Sequence, residues 1–355
     1  MRRILFFALG AILTSSTFAT DNKDFTFSGW ADFYYQYDFN HTPIGTNLSG
    51  RGFDNRANTF ELASAQFNIK YGKKGGPFAV TLDLGVGRNA QISSGFDGVN
   101  NNKDQIIQQL FVSLPQKDGS TLDFGKFNTW IGFESGYTVD NPNYSLGTLW
   151  NYCQPTWHVG LRWTKPLTET STASLYAVNG WNETSDSNSS KTFGATLTKN
   201  VTKKLSTTWN YIVGKEGTNG IGLPNPGQSD VHMADLIATY AVSDKQSLAF
   251  NGDFASSSGA NSGHWYGMSL YSNHKLSDTN DASIRFSAIH DPQGLRSAGA
   301  SVSSWTGTYN IKASSASTWR FELRFDQANT NLFENGASGS SNSRTTVTIA
   351  HVIRF

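Results

Sequence analysis

The sequence predicts an all-β chain closed into an antiparallel transmembrane barrel of about 16 strands, with 14 or 18 as the neighbouring alternatives. Three observations lead there. Apolar and polar residues separate at a period of two along most of the chain, short connections alternate with longer ones, and aromatics crowd a hydrophilic background. The chain carries 24 Phe, 13 Tyr and 10 Trp, yet is only 37% hydrophobic, with a mean hydropathy of −0.40. An ordinary globular chain is about 45–50% apolar. Few apolar residues, many of them aromatic, suit a sheet whose greasy side chains all go to one face.

The chain opens on MRRILFFALGAILTSSTFA. Arg2 and Arg3 precede an apolar run from Ile4 to Leu13, and Thr17-Phe18-Ala19 has the spacing of an export cleavage site. The run is too short to span a bilayer as a helix. Residues 1–19 are therefore expected to be a signal peptide and residues 20–355 the barrel domain. Losing Arg2 and Arg3 moves the formal net charge from +1 to −1, which is no footprint for a nucleic-acid binder. The single cysteine, Cys153, makes no intramolecular disulfide, so stability rests on backbone pairing and packing. No later apolar segment approaches twenty residues, which excludes helical membrane spans.

The first strand is expected over 25–39, where Phe25, Phe27, Ala31, Phe33, Tyr35, Tyr37 and Phe39 share one face, and Thr26, Ser28, Trp30, Asp32, Tyr34, Gln36 and Asp38 the other. Strands then follow at 57–71, 77–88, 104–115, 119–131, 154–166, 170–182 and 190–200, and in the second half at 203–214, 230–242, 245–257, 262–276, 279–290, 300–311, 316–328 and 341–355. The segment 316–328 is the sharpest: Trp319, Phe321, Leu323 and Phe325 oppose Arg320, Glu322, Arg324 and Asp326. A helix would mix these charges with the aromatics, whereas a strand separates them. Segments 170–182, 262–276 and 300–311 alternate poorly. The last strand sets Thr345, Val347, Ile349, Ile353 and Phe355 on one side, with His351 an irregularity in the row.

Short turns such as YGKKGGP, PQKDG and KLSDTN alternate with longer connections at 40–56, 89–103, 132–153, 215–229 and 329–340. That rhythm is the one expected of short periplasmic turns and longer extracellular loops. An even strand number lets the first and last strands meet, and closure matters because hydrocarbon cannot satisfy an open strand edge. A secreted β-sandwich is the soluble alternative. It does not explain the same arrangement and rhythm repeated for over 300 residues.

The stretches FSGWADFYYQYDFN, GKFNTWIGFESGYTVDNPNYSLGTLWNYCQPTWHVGLR and ASLYAVNGWNETSDSNSSKTFGATLTKN resemble the Gram-negative outer-membrane family called putative beta-barrel porin-2, OmpL-like. The resemblance covers nearly the whole mature chain and is most distinctive before residue 215. It implies an outer-membrane barrel and passive solute passage. In the carried-over pattern Gly125 and Lys126 belong to a strand that ends at Ile131-Gly132-Phe133-Glu134. Asn151-Tyr152 precedes the strand containing Gly160 and Arg162, and Asn179-Gly180-Trp181 ends another. Cys153 and the His158-Val159-Gly160 stretch match no firm family residue, and the resemblance identifies no solute.

A barrel of this width leaves an aqueous lumen, where about eight strands would leave one that side chains fill. The pore-lining candidates on the polar rows are Asp32, Arg162, Arg285, Arg320, Glu322, Arg324 and Asp326. Facing lipid at mid-depth, an arginine would cost roughly 2–4 kcal/mol. These charges have two readings: a structural network in the wall, or control of ion selectivity. The 22-residue loop 132–153 either folds inward, narrowing the passage with Glu134, Tyr137, Asp140, Tyr144 and Trp150, or folds outward as a surface loop.

Other chemistries find little support. The seven histidines form no H-E-x-x-H array, and no nucleophile elbow or phosphate-cradling loop is present. DTND at 278–281 lacks the ligand order of a calcium loop. No cofactor, no metal and no catalytic residue is therefore expected. Trp30, Trp130, Trp157, Trp181, Trp265 and Trp319 fall near strand ends or on membrane surfaces and are assigned to girdle or wall packing. The expected partners are outer-membrane lipid and small hydrophilic solutes, in the outer membrane, with monomer and trimer equally compatible. A surface-binding, adhesin-like barrel without conductance is the alternative from another class, and an outer-membrane enzyme the remote one.

Overall fold

The computed structural model describes residues 24–52, 54–73, 75–94, 106–217, 221–225, 227–297 and 299–355. The expected signal peptide lies outside the described residues. The first half of the wall is built from β1 (Phe25–Asp38), β2 (Phe60–Gly72), β3 (Ala79–Val86), β4 (Ile107–Pro115), β5 (Thr121–Asn128), β6 (Trp157–Thr168), β7 (Ser171–Val178) and β8 (Thr192–Asn200). The second half follows with β9 (Leu205–Glu216), β10 (Ser229–Ala241), β11 (Gln246–Gly259), β12 (Gly263–Lys275), β13 (Asn280–His290), β14 (Val302–Lys312) and β15 (Ser317–Ala328). After a small hairpin, β16 (Phe333–Asn335) and β17 (Gly339–Ser341), β18 (Ser343–Arg354) completes the wall. From β1 to β15 each strand pairs antiparallel with the next, and β18 pairs with both β15 and β1, so 16 strands close a barrel. Every strand expected from the sequence has its counterpart.

Lipid and water divide the faces as the period-two rows require. Phe33, Leu323 and Trp305 point outward, the last two more than half exposed, while Thr346, Thr348, Ala350 and Val352 on β18 point inward and are buried. His351 keeps its place in the outward row by stacking on Trp319, with centroids 4.2 Å apart, and by pairing with the Ser317 hydroxyl at 2.8 Å. No helix among the described residues is long and apolar enough to cross a membrane; the strands do so.

The seam depends on a close approach. Gly29 and Phe355 exchange backbone hydrogen bonds of 2.7 and 2.9 Å, and the Phe355 ring lies where a Cβ on Gly29 would be, 2.5 Å away. The same ring meets Phe67 of β2 edge-on at 5.6 Å. The terminal aromatic thus bridges three strands across the closure.

Two sequence expectations need correction. The inner face is not polar throughout. Toward the long-loop end Ile212, Val231, Met233, Ala255, Trp265, Ile289 and Val302 turn inward and form one apolar cluster. Leu149 and Cys153 of the loop after β5 join it, as do Ile221, Leu295 and Phe333 from other connections. Trp181 and Trp265, assigned above to the girdle or wall, are fully buried in this cluster with rings 6.4 Å apart. Their partners are the ends of loops folded into the barrel, which supply the dry surface that lipid supplies outside.

Candidate permeation site

The connection between β5 and β6 folds into the barrel. It contains a 3-10 turn, Thr138–Asp140, and the second of two short helices, α2 (Thr148–Cys153), the first being α1 (Arg88–Ser94) after β3. Gly147 caps α2 in an extended conformation, and Gln154 ends it in another, as expected before Pro155. From β5 the loop first meets β10 and β11, where the Gly132 and Phe133 amides donate to Asp235 and Asn251. It then passes β13, crosses to β3 and returns along β15, β14 and β13.

The inward charges hold it along that path. Arg285 donates to Glu134 at 2.5 Å and to the Ser145 carbonyl at 2.5 Å, and also to Thr306 Oγ1. Arg320 donates to the carbonyls of Thr138, Asn141 and Pro142 at 2.7–2.8 Å. Glu322 accepts from the Tyr144 and Ser145 amides at 2.7 and 3.1 Å. Arg324 donates to the Leu146 carbonyl at 2.5 Å and to Asp326 at 2.8 Å. Asp32 accepts from Thr138 Oγ1 at 2.6 Å and from the Tyr144 hydroxyl at 3.2 Å. Such a loop carries many backbone groups that water would otherwise satisfy, and these side chains supply the missing partners.

Six of the seven pore-lining candidates are thus gathered under or beside the loop and buried, Asp326 through its bonds to Arg324 and to Arg51 of the β1–β2 connection. Arg162 stands apart. It lies on the opposite wall, paired through Nε with Asp123 at 2.7 Å, with its side chain 26% exposed. Of the five loop candidates, Glu134, Tyr144 and Trp150 are buried toward the wall rather than presented to the lumen. Tyr137 reaches across to Asp83 of β3, with the hydroxyl 3.1 Å from the carboxylate. Asp140 lines a 230 Å³ cavity with Asn128, Thr129 and the 131–136 segment. Burial pushes the Asp140 carboxyl up to about 6, against the opposing charge of Arg354.

The loop is therefore fastened along β10 to β15 and reaches across the lumen to β1 and β3, and Trp130 at its start stacks on Tyr176 of β7 with centroids 3.8 Å apart. The wall from β4 to β9 carries mostly hydroxyls and amides on its inner face: Thr164 pairs with Ser174 at 2.9 Å, Tyr176 with Thr196 at 3.2 Å and Thr198 with Thr208 at 3.1 Å. Below Phe133, toward the short turns, a 580 Å³ cavity opens between inward residues such as Ala249 and Asn273.

Further clamps escaped the sequence reading. Asp235, Asn251 and Asp253 hold both ends of the loop, with Gln154 Nε2 donating to Asp253 at 2.8 Å. Arg51 of the β1–β2 connection joins Asp54 and Asp326, and Arg344 joins Glu334. The strand members among them lie in phase with the polar rows, so the same period of two could have found them. The loop members have no such signal. Among the described residues no group of three or more His, Cys, Asp or Glu is placed to hold a metal.

Comparison with known proteins agrees with this architecture. The chain is similar in structure to the anion-selective porin from Comamonas acidovorans, with a TM-score of 0.61 at 13% identity, covering 93% of this chain and 99% of that one. It is similar to outer-membrane expressed OmpT of Vibrio cholerae, with a TM-score of 0.59 at 11% identity, covering 96% and 100%. A mutant Rh. blastica porin gives a TM-score of 0.57 at 13% identity, covering 93% and 100%. No curated protein sequence matches significantly. The model of the family described as putative beta-barrel porin-2, OmpL-like, matches residues 24–355, and the chain belongs to that family.

Proposed function

We propose that this barrel is an outer-membrane porin for passive diffusion of small hydrophilic solutes or ions, with the passage running between the inward loop and the wall from β4 to β9. One observation carries the reading: the loop is clamped along β10 to β15 and across to β1 and β3, while Arg162 and the hydroxyl pairs Thr164–Ser174 and Thr198–Thr208 stay unclaimed by it. The family membership supports it, as do structural relatives whose names identify them as porins. In this reading the aromatic outer face meets lipid, the chain is exported and begins near residue 20, and the loop sets the narrowest section. The buried charges act as the loop's fastening.

Planar-bilayer recording on the folded mature protein tests the proposal. Reproducible open steps in KCl are expected, and larger steps from a folded loop-shortened variant. A barrel that stays impermeable overturns the reading, and unchanged conductance and selectivity after shortening reject the constriction role.

A further inference from the structure

Arg162 differs from every other arginine among the described residues. Each of the others has a terminal guanidinium nitrogen hydrogen-bonded, as Arg285, Arg320 and Arg324 do to loop carbonyls. Arg162 is bonded only at Nε, to Asp123 Oδ2. Its two terminal nitrogens, with four N–H donors between them, are left on a partly exposed side chain facing the passage.

The surroundings fix that group rather than let it wander. The guanidinium carbon lies 4.9 Å from the Phe127 ring centroid and 5.2 Å from that of Phe111, so the cation packs over aromatic surface. Asp123 is itself held at its other oxygen by the Ser113 hydroxyl at 2.5 Å, which orients the carboxylate that orients Nε. Tyr176, the cross-strand partner of Arg162, is buried under the Trp130 ring, while Thr164, one step along the same face, is partly exposed and shares a 2.9 Å hydroxyl bond with its partner Ser174. A planar fork held at one edge and open at the other is matched in shape by a carboxylate, which accepts two parallel N–H bonds. Neighbouring hydroxyls both donate and accept, and so suit the hydroxyls of the solute that carries the carboxylate.

We infer that Arg162, with the Thr164–Ser174 hydroxyl pair beside it, forms a subsite on the passage wall for small hydroxylated carboxylates of the sugar-acid class. This deepens the porin reading and rests on it. Asp123 cancels the net charge of the site, so recognition depends on the geometry of the fork and binding is weak. Weak binding is what passage requires, since a solute must leave as readily as it enters.

Gluconate is the probe and glucose its uncharged control, each added to single channels bathed in KCl. Millimolar gluconate is expected to reduce or interrupt the current of the parent protein, while glucose at the same concentration leaves it unchanged. Arg162→Gln is expected to shift the half-effective gluconate concentration upward by at least tenfold. Arg162→Lys keeps a charge without the fork, and an intermediate shift is expected; it also serves if the Gln variant does not fold. A conducting parent indifferent to gluconate overturns the subsite and leaves the porin reading standing. So does a Gln or Lys variant that responds as the parent does. A parent without channel steps overturns the porin reading itself.

Discussion

Arg285 of β13 and Glu134 of the inward loop meet at 2.5 Å with both side chains shut off from solvent. A charge pair so enclosed adds little over an apolar pair of the same shape, yet removing one partner strands the other, at about 3–5 kcal/mol. Glu134 also accepts the Gly147 amide at 2.8 Å, so part of its charge stays satisfied. Arg285→Ala is therefore expected to lower stability by about 3 kcal/mol, the bottom of that range. Denaturant unfolding in detergent measures this, and limited proteolysis is expected to cut between Glu134 and Gln154 faster than in the parent. A loop as resistant as the parent's would show the clamp to be redundant.

At the seam, a methyl group on Gly29 would collide with the Phe355 ring and with the Gln66 carbonyl. Overpacking of this kind costs typically about 1–3 kcal/mol. Gly29→Ala is expected to lower the thermal midpoint. Adding Phe355→Ala relieves the ring collision but not the carbonyl one, so the two substitutions are expected to be non-additive in a double-mutant cycle.

Leu323 lies on the outward row of β15, more than half exposed. Leu323→Arg places a cation against the hydrocarbon and is expected to destabilise the barrel by roughly 2–4 kcal/mol. Equal stability for this variant and the parent, measured in lipid bilayers, would mean that the outward row does not meet lipid.

Asp140 supplies a pH dependence. Burial holds its folded carboxyl near about 6, above the ordinary 3.8, so the group is charged above that pH and neutral below it. Acidification from roughly pH 8 to 5 removes one negative charge from the loop, and the reversal potential in a KCl gradient is expected to move toward less cation preference. Asp140→Asn is expected to flatten that change. By linkage, a folded value raised above the unfolded one means that this group's contribution to stability declines as pH rises from about 4 to about 6.

The sequence is a good guide to this wall because lipid imposes a rule on every outward position, and a strand obeys it at a period of two. Where alternation is poor, in 262–276 and 300–311, the cause is visible in Trp265 and Val302. They face inward but pack against α2 and other folded-in connections, so both faces of the strand are apolar there. The same ambiguity assigned Trp181 and Trp265 to the girdle or the wall. Arg285, Arg320 and Arg324 could be assigned to the inner face, but not to their task. Their partners, Glu134, Thr138 and Leu146, lie 151, 182 and 178 residues away in the chain, and no local pattern encodes such a meeting.

The uneven fastening of the loop has an evolutionary corollary. Between β10 and β15 an exchanged inner side chain disturbs the fastening of a whole internal segment. Between β6 and β9 the inner side chains toward the short turns, Thr164, Ser174, Thr198 and Thr208, answer only to a neighbouring hydroxyl. Descendants of this molecule can therefore acquire new solute tastes by drift on the lightly partnered side, while the opposite side stays under the discipline of folding.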